Sequence, residues 1–390
     1  MKAIKVYFLI ILMSIIFTLY LTEGYLSYKI NSNYGNIFKK SLIYKKEKNK
    51  RFDTRYKSQI YRDLIVNDPN ITSVASPSYI NDPDEKLFFL SGISKSKTID
   101  CNENGYYSVY QSDRYGFNNP DQEWNKKEIE YLLVGDSFTQ GACVNRPNDI
   151  TSILRILSKK SALNLGYRGN GPLMSYASLK EYNKIKAKNI LWLYTEETDL
   201  GDLKDELNKK ILKNYYVDKN FTQNLDQKQE YINMQTKKII IKAMNKQDEI
   251  SHLEFKNRNL KNKALKFIRL NHTKKLIKSL FKIKKKNLLP TKEFENILFL
   301  TKELDLKNNS NFYFIYLPQY GRYTQKINNK NYNDIKLIVN KLNINFIDLH
   351  EDLFNKEKNP LELFPFKMWG HYNETGYKKV AEKIYSKIKK

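Results

Sequence analysis

Three short segments of the sequence contain residue types that can carry out nucleophilic chemistry together. Ser137 follows a glycine and an aspartate, Gly169 lies in the glycine-rich segment 164–171, and His371 lies in the segment 370–377. A serine hydroxyl becomes reactive when a nearby base takes its proton. A glycine-rich turn allows the backbone to approach a ligand closely. These segments indicate an active site centred on Ser137.

The four histidines of the chain differ in the segments that surround them. His252 and His272 lie in a basic insertion at about 205–290, and His350 lies just past a predicted strand, where a structural role is expected. His371 alone lies in a loop that opens a helix, which suits a general base placed over the edge of a sheet. The sequence therefore favours His371 as the partner of Ser137.

The elements that must position these residues alternate between apolar strands and amphipathic helices. The predicted strands cover residues 129–135, 161–166, 189–195, 311–317 and 344–348. The predicted helices cover residues 147–159, 173–185, a segment from 199 onward, 291–304, 332–342 and 374–388. This alternation predicts an α/β fold with a parallel sheet covered on both faces. Such folds place their chemistry beyond the carboxyl ends of the strands, where Ser137 lies.

The motifs together resemble the SGNH (GDSL-type) hydrolase superfamily over residues 126–390, apart from an insertion at about 205–290. The resemblance implies a flavodoxin-like three-layer α/β/α fold and an ester hydrolase or acyl transferase that needs no cofactor. It also implies Ser137 as the nucleophile, the N–H groups of Ser137 and Gly169 as oxyanion donors, and His371 as the base. The segments 112–120 and 135–144 look like those of a bacterial extracytoplasmic subgroup, some of whose relatives act on O-acetyl groups of polysaccharides.

Two positions depart from the pattern of that family. Thr198 stands where the family has an oxyanion-hole asparagine, and Met368 stands where it has the aspartate that orients the histidine. A threonine hydroxyl can donate one hydrogen bond, so Thr198 is predicted to assist the oxyanion hole. Loss of one oxyanion donor costs about 10²–10³ in rate. Because of these departures, a catalytically degenerate domain that binds an envelope polysaccharide or an anionic membrane surface is the alternative function.

Several groups could orient His371 in the absence of that aspartate. A backbone carbonyl would leave a Ser–His dyad. Glu196, Glu197 and Asp199 are candidates only because they follow the third strand of the predicted sheet. No metal site is expected, because no cluster of histidine and cysteine has the spacing of metal ligands.

The N-terminus contains a run of 17 residues, 6–22, without a charge, preceded by Lys2 and Lys5. This length is at the short end for a membrane-spanning helix. The residues after the run form a poor cleavage site, so an uncleaved signal-anchor is favoured over a cleaved signal peptide. The predicted organisation is an anchor at 1–25, a turn-rich extension at 26–125 packed on the main domain, and that domain at 126–390. The main domain is expected outside the cytoplasm.

An extracytoplasmic location affects the interpretation of the two cysteines. Cys101 and Cys143 would lie in an oxidising compartment, where disulfides form and persist. Cys101 lies in a turn-rich stretch, and Cys143 lies six residues after Ser137. A disulfide would fix the stretch around Cys101 to the rim of the site, while two unpaired thiols are the alternative.

The net charge of +26 is distributed unevenly along the chain. Residues 256–286 contain thirteen lysines and arginines and no acidic residue, which is half of the net excess. Apolar residues at spacings of three and four predict that this segment forms an amphipathic basic helix. Contact with an anionic surface and a solvated helix packed on the domain are both compatible with this pattern. A nucleic-acid partner is not expected, because no zinc-finger, RNP or helix-turn-helix pattern accompanies the charge.

Overall fold

A computed structural model of the chain describes residues 2–76, 87–196, 198–257, 260–280, 289–324 and 329–389. The chain divides into two compact units. Met1–Tyr56 and Asn245–Leu288 form the first, called here the helical unit. Lys57–Met244 and Leu289–Lys390 form the second, called here the sheet unit.

The elements alternate along the chain much as the sequence predicts. The strands are β1 (Ile71–Ser73), β2 (Lys97–Ile99), β3 (Val109–Gln111), β4 (Glu128–Gly135), β5 (Ala162–Asn164), β6 (Lys186–Thr195), β7 (Asn311–Leu317) and β8 (Asn345–Asp348). The helices are α1 (Lys2–Lys48), α2 (Lys57–Ile65), α3 (Ser137–Gln140), α4 (Ile150–Ser158), α5 (Pro172–Tyr182), α6 (Asp199–Glu206), α7 (Lys210–Val217), α8 (Gln229–Asn257), α9 (Leu260–Ile268), α10 (Asn271–Leu280), α11 (Thr291–Lys307), α12 (Lys330–Lys341), α13 (Leu349–Asp352) and α14 (Glu374–Ile388).

The main sheet of the sheet unit has five strands in the order β5-β4-β6-β7-β8. Every neighbouring pair in it is parallel. This is the 2-1-3-4-5 order of flavodoxin-like folds, so the predicted three-layer α/β/α fold is confirmed. The order changes direction beside β4, and Ser137 directly follows the carboxyl end of that strand.

Both faces of the sheet are buried, which is why its strands are apolar along most of their length. Along β6, Ile190, Trp192 and Tyr194 pack into one core cluster, while Leu191 and Leu193 pack into the other. Helices α5, α11 and α12 contribute to the first cluster, and α4 and α14 contribute to the second. Each large apolar side chain that is fully buried contributes about 1.5–3 kcal/mol to folding.

One helix begins later than its sequence predicts. The predicted helix at 147–159 starts at Ile150, because the side chain of Asp149 accepts a hydrogen bond from the Ser152 N–H and caps the helix. Aspartate is among the residues that favour this capping position. The first turn therefore lies three residues beyond Pro147.

The segment before the main sheet adds a small three-stranded sheet, β1-β2-β3, and an ordered loop. The carboxylate of Asp113 organises that loop by accepting hydrogen bonds from the Tyr115 and Phe117 N–H groups and from Trp124 Nε1. Burial raises the pKa of Asp113 to about 6. The loop reaches the turn after Ser137 through Asn118, whose side chain donates to the Gln140 carbonyl at 2.9 Å.

The helical unit consists of α1, the end of α8, α9 and α10. Residues Ile4–Tyr28 of α1 are long and apolar enough to cross a membrane. The single basic helix predicted within 256–286 is wrong in part, because α9 ends at Ile268 and α10 begins at Asn271. Leu270 between them has a φ of 51°, which is incompatible with a continuous α-helix. Residues 258–259 and 281–286 of the prediction lie outside the described residues.

Candidate active site

A tight turn presents Ser137 at the end of β4. Gly135 has a φ of 149°, and a Cβ there would lie 2.6 Å from the Leu193 carbonyl oxygen, so only glycine fits. The Asp136 carboxylate accepts hydrogen bonds from the Phe138 N–H at 2.9 Å and from Thr195 Oγ1 at 3.0 Å. Burial raises the pKa of Asp136. Asp136 thus organises the turn that presents Ser137.

The structure brings His371 to Ser137 from the far end of the chain. Ser137 Oγ lies 2.8 Å from His371 Nε2, although 234 residues separate them. The loop that carries His371 leads into α14, which Asn373 caps by accepting a hydrogen bond from the Gly376 N–H at 2.8 Å. The separation of Ser137 Oγ and His371 Nε2 is one at which a histidine can take the proton of a serine hydroxyl.

Glu103 completes the site from the segment that precedes the main sheet. Its Oε1 lies 3.0 Å from His371 Nδ1, and its Oε2 accepts a hydrogen bond from the His371 N–H at 2.6 Å. Burial opposes ionisation, but the charge and hydrogen bonds of His371 hold the pKa of Glu103 below its usual value. A Cβ on Gly370 would lie 2.6 Å from Glu103 Oε2, so a larger residue there would displace the Glu103 carboxylate from His371.

Two of the carboxylates that the sequence offers for orienting His371 have other partners. Glu196 pairs with Arg322, and the side chain of Asp199 accepts a hydrogen bond from the Thr195 N–H at 3.1 Å. Glu197 lies outside the described residues. Glu196 and Asp199 are therefore wrong as candidates, because their position after the third strand does not bring their side chains to His371. The available signal was the cysteine two residues before Glu103, since a disulfide there would bring a carboxylate to the rim.

A disulfide joins Cys101 to Cys143 across 42 residues. Hydrogen bonds reinforce it on both sides: Asn104 Nδ2 donates to the Cys143 carbonyl at 3.0 Å, and the Cys143 N–H donates to Asp100 Oδ2 at 3.1 Å. On a chain-entropy model, a crosslink of this loop length stabilises the fold by about 4 kcal/mol. Glu103 lies within the segment that these contacts hold.

The turn that contains Gly169 is held on both sides. Gly169 has a φ of 80°, a conformation that favours glycine. The Arg168 N–H donates to Gln140 Oε1 at 2.8 Å, and the Gly171 N–H donates to Glu206 Oε1 at 2.7 Å. Within the described ranges, no acceptor is bonded to the Gly169 N–H itself. That N–H is therefore available to a ligand.

Two further polar side chains lie near these turns. The Thr198 hydroxyl donates to Asp136 Oδ2 at 3.4 Å, so its hydrogen bond is directed to the turn after β4. Asn170 follows Gly169 and is 1% exposed. Neither its Nδ2 nor its Oδ1 has a hydrogen-bond partner among the described residues. A buried carboxamide without a partner is costly, which marks Asn170 as a residue that the sequence analysis missed.

Cys101, Cys143 and His371 also have potential metal-ligand atoms within 4.8 Å of one another. The two sulfur atoms are joined in the disulfide, so neither is a thiolate that could bind a metal. This donor set therefore does not fit a metal centre.

The arrangement can perform acyl transfer. A hydroxyl nucleophile, a histidine in contact with it and a carboxylate in contact with the other ring nitrogen form a serine–histidine–carboxylate triad. The neighbouring Gly169 turn contains a backbone N–H to which no acceptor of the described part of the chain is bonded. The fold and the site together define a class of protein. It is a doubly wound α/β protein with a serine–histidine–carboxylate triad at the point where the strand order changes direction.

Comparisons with known proteins found solved structures that are similar to this chain at low sequence identity. No family model matches the chain, and no curated protein matches it. The chain is similar to a protein of the G-D-S-L lipolytic family from Desulfitobacterium hafniense, at 15% identity over 67% of this chain and 99% of that one, with a TM-score of 0.35. It is also similar to an acetyl xylan esterase, at 14% identity over 66% and 98% of the two chains, with a TM-score of 0.36.

A third similar structure is a psychrotrophic esterase from Pseudoalteromonas sp., at 10% identity over 68% of this chain and 97% of that one, with a TM-score of 0.32. One of the three is named for the family that the sequence motifs resemble. At TM-scores of this size, the fold assignment rests on the strand order described above.

Proposed function

We propose that the protein is an esterase-type hydrolase or acyl transferase of the SGNH superfamily. The observation that supports this most directly is the chain of contacts from Ser137 Oγ to His371 Nε2 and from His371 Nδ1 to Glu103. With Nδ1–H directed to the carboxylate, Nε2 is free to accept the serine proton. Glu103 also supplies the carboxylate that orients His371, although Met368 stands at the position where the family has an aspartate for this role.

In the proposed reaction, His371 accepts the Ser137 proton as Oγ forms a bond to the ester carbonyl carbon. The N–H groups of Ser137 and Gly169 stabilise the oxyanion of the tetrahedral intermediate. The bond to the alcohol then breaks, and His371 gives its proton to the departing oxygen. Water, or a sugar hydroxyl in a transferase, attacks the acyl-enzyme with His371 as the base and releases Ser137.

Two side chains near the Ser137 and Gly169 turns are candidates for a third oxyanion donor. Thr198 remains a proposed donor, and rotation about its χ1 bond would release the hydroxyl from Asp136. The Asn170 carboxamide is an alternative, since it adjoins Gly169 and has no partner among the described residues. Either group would complete an oxyanion hole of three donors.

A degenerate domain that binds a polysaccharide without turnover is the second candidate function. The hydrogen bond of Thr198 to Asp136 favours it, because the hydroxyl is then not directed to a substrate. The intact contacts among Ser137, His371 and Glu103 favour the enzyme.

We propose an ester-bearing substrate, such as the O-acetyl groups of a cell-envelope polysaccharide, and no nucleic-acid partner. The apolar start of α1 supports a membrane-anchored protein with a single span. The Cys101–Cys143 disulfide supports a sheet unit outside the cytoplasm, where disulfides persist. Residues 256–286 are proposed to contact an anionic surface.

An assay of the full-length chain in detergent tests this function. We expect hydrolysis of p-nitrophenyl acetate and release of acetate from an O-acetylated polysaccharide, both abolished by pretreatment with a phosphonate inhibitor. The same polysaccharide, de-O-acetylated with alkali, is the matched control. Retention of the polysaccharide without acetate release would support the binding function instead. Absence of both binding and ester hydrolysis would contradict both candidates.

A further inference from the structure

A buried glutamate of α1 connects this helix to the basic segment of the helical unit. Glu23 is fully buried, and its carboxylate accepts hydrogen bonds from the N–H groups of His272 and Thr273 at 3.0 and 2.7 Å. Thr273 Oγ1 also donates to it at 2.9 Å. These N–H groups belong to the first turn of α10, so Glu23 caps that helix from a distant part of the chain. The cap fixes the start of α10 to α1.

One turn before Glu23, α1 also contacts the end of α9. The Tyr20 hydroxyl donates to the Ile268 carbonyl at 3.1 Å, and the Tyr20 ring lies 5.7 Å from the ring of Phe267. Helices α9 and α10 with their connection, residues 260–280, are called here the basic hairpin. Its bend is thus held against residues 20–23 of α1.

These contacts place the bend of the basic hairpin at the end of the uncharged run 6–22. A helix of that length spans about 25 Å, close to the thickness of the hydrocarbon core of a bilayer. Tyrosines near the end of a span prefer the boundary between membrane and water. If the run crosses the membrane, residues 20–23 lie at that boundary, and so does the bend.

The exposed side chains of the basic hairpin have the chemistry of that boundary. The exposed apolar ones are Leu265, Phe267, Ile268, Leu276 and Ile277. The exposed basic ones are Lys266, Arg269, Lys274, Lys275 and Lys278. Residues 264–278 contain no acidic side chain. Apolar side chains beside cations are typical of helices that lie in the headgroup region of an anionic membrane.

We propose that the basic hairpin lies on the membrane at the point where α1 emerges and binds anionic phospholipid headgroups. This proposal deepens the proposed anchoring and rests on it. The occupant is lipid because the exposed apolar surface of the span continues through Tyr20 to Phe267 and Ile268. An acidic polymer in solution would account for the lysines but not for this continuity.

Hydrogen exchange of the full-length chain in nanodiscs tests the proposal. We expect amide exchange within residues 264–278 to be about tenfold slower in discs of phosphatidylcholine with phosphatidylglycerol than in discs of phosphatidylcholine alone. A variant with Lys266, Arg269, Lys274, Lys275 and Lys278 changed to glutamine should lose this difference. A matched variant with Lys126, Lys127, Lys159, Lys160 and Lys307, exposed residues of the sheet unit, changed to glutamine should keep it.

The result separates this proposal from the one on which it rests. Failure of the chain to enter nanodiscs would overturn the proposed anchoring and the hairpin proposal together. The proposed ester hydrolysis would be unaffected, because it is measured in a separate assay. Incorporation with equal exchange in the two kinds of disc would overturn the hairpin proposal alone. Equal protection by soluble polygalacturonate, without anionic lipid, would overturn the assignment to lipid and indicate a polymer partner.

Discussion

Changing His371 to alanine is expected to lower kcat for acetyl ester hydrolysis by about 10⁴- to 10⁶-fold. The imidazole lies 2.8 Å from Ser137 Oγ, and without it no other base among the described residues contacts the hydroxyl to take its proton. The effect should appear in kcat rather than in KM, since His371 acts on the reacting proton. Steady-state kinetics with p-nitrophenyl acetate measure both parameters.

His350 offers a matched control for this substitution. It is also a partly buried histidine of the sheet unit, and its Nδ1 lies 2.9 Å from the Tyr323 hydroxyl. Changing His350 to alanine should leave kcat within a few-fold of its original value while lowering the melting temperature. Similar losses of kcat in the two variants would contradict the assignment of His371 as the base.

Changing Glu103 to alanine is expected to lower kcat by about 10⁴-fold, the cost of removing the group that orients a catalytic histidine. Glu103 is a positioning residue, because it contacts both the ring and the backbone of His371 and acts on Ser137 only through them. The Glu103→Gln variant should lose nearly as much, since an amide can donate to Nδ1 and favour the wrong tautomer. The Glu103→Asp variant should recover part of the rate.

The pKa of Glu103 supplies a readout that a loss of packing would not affect. Because this pKa is below its usual value of 4.5, the stability from ionised Glu103 is present above pH 4.5. This contribution to stability is lost as the pH falls through the lowered pKa of Glu103. The difference in unfolding free energy between the original protein and Glu103→Gln should shrink over that range. Unchanged kcat in all three Glu103 variants would contradict its role.

The sheet and the central contact could be predicted because both follow from local sequence. Uninterrupted apolar runs identify strands buried on two faces, and Gly135 and Gly169 mark backbone positions that other residues do not easily occupy. Ser137 and His371 each follow a recognisable turn, and parallel strand ends meet at one edge of a sheet. Ser137 lies at that edge, and the choice of His371 as its partner follows from the loop before the last helix and from the resemblance of this loop to that of a known family.

Glu103 could not be predicted in the same way, because only its nearness to Cys101 distinguishes it from the other acidic residues, and that signal depends on the pairing of the two cysteines. Its position depends on the disulfide and on the hydrogen bonds of Asp100 and Asn104 to Cys143, which form only in the folded state. The break between α9 and α10 at Leu270 could not be predicted either, because it also depends on contacts between distant parts of the chain. The cap supplied by Glu23 comes from 249 residues away, and helical periodicity carries no information about it.

Mapping the residue that reacts with a fluorophosphonate probe tests the central claim, an activated Ser137, most directly. The account predicts a single covalent adduct on Ser137, found by peptide mass analysis and absent from Ser137→Ala. It also predicts slower labelling of Glu103→Ala than of the original protein, since His371 is then poorly oriented. Absence of labelling in the folded chain, or labelling that persists in Ser137→Ala, would contradict it.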